Sequence, residues 1–291
     1  MVLGLLFALF SSVLYGLEPT LRKYALNSGV TSEDTVAIVF AVSLVLSVLF
    51  CLIRKQSLSI PKKDKISLFF MGFFCSGMTN LLLALSYKYI PVGFATVTHF
   101  IYPTLVCLIS AIIFKENLSF SKISAIICSV AGLICIGSSS FSSSIKGILI
   151  AFCSSITFSS YILILGHSSA GKHPADKKMV YIICGSFTLG LLMSVTRQSH
   201  YFNMKAVSVL AVCGLMNFLA AILFVSAIAK IGSVSSSFMS VFEPVTSLIV
   251  STCVYKYDLS LVSIIGCVLM ITAILFISIG NISVKKNTPS A

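Results

Sequence analysis

Apolar residues in this chain come in long runs, separated by short polar stretches that hold most of the lysines. The runs do not alternate, and each approaches the roughly 20 residues a helix needs to cross ~30 Å of hydrocarbon. Ten spans are expected, near 3–25, 35–53, 66–87, 92–114, 123–139, 147–166, 179–196, 206–228, 233–255 and 260–282. Barrel strands would instead show segments of about ten alternating residues. The expected fold class is therefore an all-α integral membrane protein. No loop is long enough to hold a soluble domain. The N-terminus has neither the basic region nor the small-residue cleavage site of a secretory signal, so the first span is expected to stay in place.

Composition agrees with the pattern. Of 291 residues, 57% are hydrophobic and 10% charged, where a soluble domain carries roughly a quarter charged. Mean hydropathy is +1.06. A net charge of +12 could suggest a nucleic-acid partner, but its distribution argues against one. With a cytoplasmic N-terminus, Arg22, Lys23, Lys88, Lys146, Arg197, Lys205 and Lys256 lie outside, and the other 13 of the 20 basic residues lie inside. That bias follows the positive-inside rule and places both termini in the cytoplasm of a multi-pass cell-membrane protein. All ten cysteines fall within spans, with no C-x-x-C spacing. They read as small buried hydrophobes rather than as disulfides or metal ligands, and no metal or cofactor is expected.

The chain repeats itself. GLLFALFSSVLYG at Gly4–Gly16 matches GILIAFCSSITFS at Gly147–Ser159, with Gly4, Leu6, Ala8, Ser11 and Ser12 recurring. YPTLVCLISAIIFKENLS at Tyr102–Ser119 matches EPVTSLIVSTCVYKYDLS at Glu243–Ser260, with Pro103 on Pro244 and Lys115 on Lys256. Two collinear matches at offsets of 143 and 141 divide the chain into residues 1–141 and 145–284, followed by a short cytoplasmic tail at 285–291. Five spans per half is an odd number, so the second half must enter the membrane in the opposite sense. Inverted repeats of this kind are an architecture of secondary transporters, with the binding site at their interface.

The chain also resembles the drug/metabolite transporter superfamily, in its EamA-like branch. The resemblance rests on Ala84-Leu85, Lys88-Tyr89-Ile90-Pro91, Tyr102-Pro103, Lys115-Glu116-Asn117-Leu118-Ser119 and Gly132, with a looser copy at Ala227, Lys230-Ile231-Gly232, Glu243-Pro244 and Asp258-Leu259-Ser260. Tyr257 stands where an acidic residue is expected, and span 2 lacks an early arginine. The resemblance implies a permease that moves amino acids, other metabolites or drugs, often outward. It further implies a central cavity lined by spans 1, 3, 4, 6, 8 and 9.

Polar residues inside the spans mark where such a cavity would be. Glu18 and Glu243 are the carboxylates well within spans, where a charge costs at least ~2.5–3.5 kcal/mol. At ~100° per residue, Ser236, Ser240, Glu243, Ser247 and Ser251 share a face about 80° wide. Ser11, Tyr15, Glu18 and Arg22 share one of about 60°. Arg22 is spaced to pair with Glu18. Each glutamate precedes a proline, Pro19 or Pro244, and Pro103 occupies the matched place in the first half. Proline removes a donor and bends the helix, freeing a carbonyl such as that of Ser240. All three prolines are candidate kinks or hinges. Asn80, Asn217, His99, Tyr102, Tyr15, Ser240 and Ser247 complete the cavity candidates, each with a packing or interhelical role as the alternative.

GHSSAGKH at Gly166–His173 nearly spells a phosphate-binding loop, but histidine replaces the hydroxyl residue at its end and no strand precedes it. Catalytic clusters are missing, so an enzyme is not expected. The function expected is secondary transport of a small molecule by alternating access, with proton coupling through Glu243 as a further expectation. A lipid flippase of the same superfamily or a non-transporting receptor is the alternative. The expected partners are a small-molecule substrate and the lipid bilayer, without nucleic acid; the sequence leaves the oligomeric state open, and a monomer is compatible with it. The charge bias makes a direct prediction: green fluorescent protein fused after Ala291 will fluoresce, and alkaline phosphatase fused there will be inactive. The reverse pair of results contradicts the orientation.

Overall fold

Helices begin and end where the apolar pattern breaks. The computed structural model describes residues 2–115, 119–138, 144–196, 203–240 and 242–256, with scattered positions from 260 to 276, and every regular element among them is helical. α1 is Val2–Asn27, α2 is Ser32–Ile53, and α3 is Lys62–Ser86 with a π-helical turn at Gly72–Gly77. α4 (Val92–His99) and α5 (Tyr102–Ile113) form one interrupted span, followed by α6 (Phe120–Ser138) and α7 (Ile145–His167). α8 (Ala175–Val195) and α9 (Met204–Ile231) precede a second interrupted span, α10 (Ser233–Met239) and α11 (Phe242–Tyr255).

Eight stretches among the described residues are long and apolar enough to cross a membrane. The fifth and tenth expected spans are not among them. The described apolar part of the fifth, Phe120–Gly132, is short, and most of 260–282 lies outside the described residues. Glu116-Asn117-Leu118, Tyr257-Asp258-Leu259 and the tail also lie outside them. Apolar side chains such as Phe10, Leu52, Ile112, Leu149 and Met204 are exposed on the outer helix faces, as lipid contact requires.

Local sequence sets the helix ends. The Thr31 hydroxyl accepts the Asp34 N–H at 3.1 Å, while Glu33 and Asp34 place negative charge in the first turn of α2. Asn203 caps α9 in the same way, accepting the Lys205 N–H at 3.0 Å. At the other end of α9, Gly232 turns the chain at φ +84°, a conformation open to a residue without a Cβ. Lys115 and Lys256, matched in the repeat, both leave their helices at φ +54°.

The spans pair across the two halves of the sequence. Ser11 on α1 donates to the Ala220 carbonyl of α9 at 2.8 Å, and a side chain at Gly4 would meet Lys230 and Ile231, so these helices run antiparallel. Gly16 faces the Glu243 carbonyl and Thr246, and Tyr255 donates to the Thr20 carbonyl at 3.0 Å, so α1 and α11 run parallel. The second half repeats this scheme against the first. Gly147 on α7 faces Tyr89 and Ile90 beyond α3, and the Thr79 and Thr157 hydroxyls meet at 2.7 Å. Ser159 donates to the Tyr102 carbonyl at 3.3 Å, and the His167 ring stacks 3.7 Å from that of Phe114, so α7 runs parallel to α4 and α5.

α2 lies between α8 and α9. Ser194 donates to Asp34 at 2.5 Å, Ser43 donates to the Gly214 carbonyl at 2.7 Å, and Phe50 packs on Phe218. α8 approaches α3 closely, because Gly72 faces the Ile182 carbonyl and Gly185 faces that of Phe69. Near the start of α3, Asp64 accepts from Ser169 at 3.2 Å and pairs with His173 at 2.7 Å. The loop that resembled a phosphate-binding motif thus uses its polar groups to tie the two halves together.

The interruptions fall at matched places, after His99 and after Met239. Pro103 and Pro244 follow them closely, and the Ser240 carbonyl takes the Glu243 N–H at 2.9 Å. α1 passes through Pro19 without a break. Two expectations need correction. Cys153 and Cys253 are exposed on outer faces rather than buried, consistent with a small apolar residue tolerating lipid as well as protein. The serine stripe on the ninth span does not open onto a cavity. Ser236, Ser240, Ser247 and Ser251 are all buried, and Ser240 and Ser251 bond back to their own helix, where small polar side chains permit close packing.

Gly72→Ala and Gly185→Ala should each lower the thermal midpoint in detergent, since an added methyl meets backbone that cannot yield and overpacking costs about 1–3 kcal/mol. Gly93→Ala is the control: its methyl would sit 3.4 Å from Leu248 and 3.5 Å from Ser251. Equal midpoints for all three would contradict the close approach of α3 and α8.

Candidate functional site

Polar faces of several helices converge on one central cavity. It is lined by Tyr15, Glu18, Pro19 and Arg22 of α1, Phe40 of α2, and Ser76, Thr79, Asn80 and Leu83 of α3, with Tyr87 just beyond. His99, Phe158, Tyr161, Met179, Ile183, Asn217, Ala221 and Glu243 complete the wall. The α1 and α3 sets each follow i, i+3, i+4, i+7, the spacing that puts side chains on one helix face. The π-turn ends one residue before Met78, so the altered winding directly precedes Thr79 and Asn80 and contains Ser76, a placement typical of functional sites.

Among the described residues two acids and one arginine line this space. Arg22 donates from Nε at 2.9 Å and from its terminal nitrogen at 2.5 Å, both to Oε1 of Glu18. The pair is almost fully enclosed, with side-chain exposures of 5% and 6%. Glu243 is 7% exposed and opens onto the cavity. Among the described residues no hydrogen bond reaches its carboxylate. It sits in the first turn of α11, where the positive end of the helix dipole favours negative charge.

Neutral polar groups surround the acids. His99 is 2% exposed, and its Nδ1 lies 2.8 Å from the Ser154 hydroxyl. That hydroxyl donates its one proton to the Ala151 carbonyl at 2.6 Å. With the proton so placed, Nδ1 carries the ring proton and Nε2 is an acceptor; the other tautomer follows if the hydroxyl turns to Nδ1. Asn80 donates from Nδ2 to the Ser76 carbonyl at 3.0 Å, leaving its Oδ1 available. The Asn217 side-chain oxygen lies 3.4 Å from the Ser43 hydroxyl, whose one proton goes to the nearer Gly214 carbonyl.

The α7 side is aromatic. The Phe158 and Tyr161 rings stack 5.7 Å apart at 15°, and Tyr102 meets Phe158 edge-on at 4.7 Å. At the repeat offsets, Tyr161 is the counterpart of Glu18, Tyr102 of Glu243, and Phe158 of Tyr15. In the first two pairs a carboxylate in one half is matched by a ring in the other, so each half contributes one carboxylate and one tyrosine.

Of the residues expected from sequence, Glu243, Glu18, Arg22, Asn217, Asn80, His99, Tyr15 and Pro19 line the cavity. Tyr102 is fully buried just behind the lining, among His99, Phe100 and Phe158, with its hydroxyl near Ser240. Ser240 and Ser247 also lie outside the lining, and Ser247 contacts Thr96 at 3.4 Å. Phe40, Met179 and Ile183 bring the second and seventh spans into the wall, although neither span was expected there. Phe158 and Tyr161 share a helix face with Ser154 and Thr157 but with no charged residue. Extending the repeat offset from Tyr15 and Glu18 was the signal that could have found them.

Removing Arg22 alone strands a buried carboxylate, which typically costs about 3–5 kcal/mol. Arg22→Ala should therefore lower the thermal midpoint markedly, and adding Glu18→Gln should restore much of it. A single variant as stable as the double would contradict a closed ion pair.

No curated protein matches the chain. A solved structure described as "Crystal structure of protein" superimposes with a TM-score of 0.74 over 94% of this chain and 97% of that one, at 16% identity. That likeness concerns the fold alone. The EamA-like transporter family matches residues 2–138 and 145–279, one copy for each half of the sequence. The chain is a multi-pass membrane protein that belongs to the EamA-like transporter family.

Proposed function

We propose that the protein is a secondary transporter that moves a small metabolite or drug outward across the cell membrane by alternating access. The observation that carries this reading is the Glu243 carboxylate, open to a central cavity lined by helices of both halves and without a protein hydrogen bond among the described residues. Burying a charged group without a partner is costly, so a site that keeps one is suited to a ligand or a proton. Helix directions support two oppositely oriented halves. α1 opposes α9, α9 follows α2, α2 opposes α8, α8 follows α3, and α3 opposes α7, so α7 opposes α1. The interrupted spans support rocking: α4 packs on α11 and α5 on α10, so both breaks lie where the halves cross.

The ends near Arg54, Lys62, Lys63, Lys115 and Lys177 face the cytoplasm in this reading, and Glu243 exchanges cargo for a proton. Reconstituted protein loaded with a mixture of amino acids, nucleosides and amine drugs should release at least one of them, read by mass spectrometry. Glu243→Gln should reduce that flux at least tenfold and abolish its dependence on a pH gradient. Undiminished flux in the variant would remove Glu243 from the transport site, and flux that kept its full pH dependence would remove it as the proton carrier.

A further inference from the structure

We propose that the cavity selects organic monocations with an aromatic or apolar body, and that Glu18 sets this selectivity by neutralising Arg22. The proposal rests on the transport reading, whose binding cavity it deepens to a substrate class.

The lining contains two acids and one base, but they do not act as three independent charges. Both short Arg22 donors end on the same Glu18 oxygen, and the pair is closed to within 5–6% exposure. Its net charge is zero. Among the described lining residues Glu243 is then the one acid without a charged partner, ionised when a cation takes the place of its proton, since the remaining polar lining groups (Ser76, Thr79, Asn80, His99, Asn217 and the tyrosines) bring no second carboxylate. A cationic ligand completes that charge. A zwitterion brings its own carboxylate into a space whose guanidinium is already occupied, and an anion meets Glu243 directly.

The rest of the ligand is specified by the α7 side. Phe158 and Tyr161 stack at 15°, and Tyr15, Phe40 and Tyr87 add further rings to the lining. Aromatic faces accept an apolar body by area and attract a cation by their quadrupole. Because Tyr161 and Tyr102 replace Glu18 and Glu243 at the repeat offsets, the site lacks two-fold charge symmetry. The ligand therefore has one orientation, with its ammonium group toward α1 and α11 and its body toward α7.

Glu18 is a positioning residue here, acting through Arg22. Without its carboxylate the lining would hold one free cation and one free anion, the complement of a zwitterion. Removing both partners would return the lining to a single negative charge.

Three probes share one body and differ in charge: phenethylamine, phenylalanine and 3-phenylpropanoate. Binding to the purified full chain, measured by calorimetry, should favour phenethylamine over phenylalanine at least tenfold, with no detectable binding of 3-phenylpropanoate. Glu18→Gln should move the amine-to-phenylalanine ratio at least tenfold toward phenylalanine. The double variant Glu18→Gln/Arg22→Gln, which replaces the pair by neutral groups of similar size, should keep the wild-type ratio within about threefold. A purely structural pair would not produce that reversal and recovery. The proposal is overturned if the wild type prefers phenylalanine, if it fails to bind the amine, or if the double variant shifts toward phenylalanine. Transport is scored separately in proteoliposomes. An amine that binds selectively but is never moved defeats the transport reading alone, whereas a carboxylate carried in preference to the amine defeats only the selectivity.

Discussion

Hydrocarbon offers no hydrogen bonds, so every polar group within a span must find its partner inside the protein. That constraint organises the whole molecule. The outer helix faces carry exposed aliphatic and aromatic side chains. The inner faces carry small residues that let backbones touch, as at Gly16 against Glu243 and Gly72 against Ile182. Serine and threonine hydroxyls satisfy themselves on carbonyls, either one turn back or across the interface, as Ser11 does on Ala220. Among the described residues a few buried hydroxyls, those of Ser47, Ser110 and Ser236 for example, keep no partner and lie away from the cavity lining, whereas the Glu243 carboxylate on the lining meets no protein hydrogen bond.

The same constraint explains which parts of the structure were legible in the sequence. Spans were readable because their apolar runs have to match the membrane. Glu18, Arg22 and Glu243 were readable because a charge within such a run is costly enough to need a reason. Asn80 and Asn217 stood out on the same grounds. The serine stripe around Glu243 misled, because a hydroxyl is equally at home bonded to its own helix. A helical wheel cannot distinguish a wet face from a tightly packed one. Phe40, Phe158 and Tyr161 were hidden for the opposite reason: in an oily span an aromatic ring attracts no notice, whether it faces lipid, core or ligand.

Repetition shaped the scaffold and divergence shaped the site. Contacts of Gly4 recur at Gly147, the broken spans recur at His99 and Met239, and the left-handed lysines recur at Lys115 and Lys256. Where the cavity is lined, the copies differ. Glu18 and Glu243 on one side correspond to Tyr161 and Tyr102 on the other. A scaffold of two similar halves thus presents its ligand with two dissimilar surfaces, one charged and one aromatic. The closed Glu18–Arg22 pair sharpens the difference, since it leaves one acid open and one engaged.

That distinction between the two carboxylates can be read chemically. A hydrophobic carbodiimide reaches intramembrane sites and modifies protonated acids, but not a carboxylate held by a guanidinium. After treatment of the protein in lipid, peptide mass spectrometry should place the adduct on Glu243 and leave Glu18 unmodified. An adduct on Glu18, or an unreactive Glu243, would contradict the account of an open acid beside a closed ion pair.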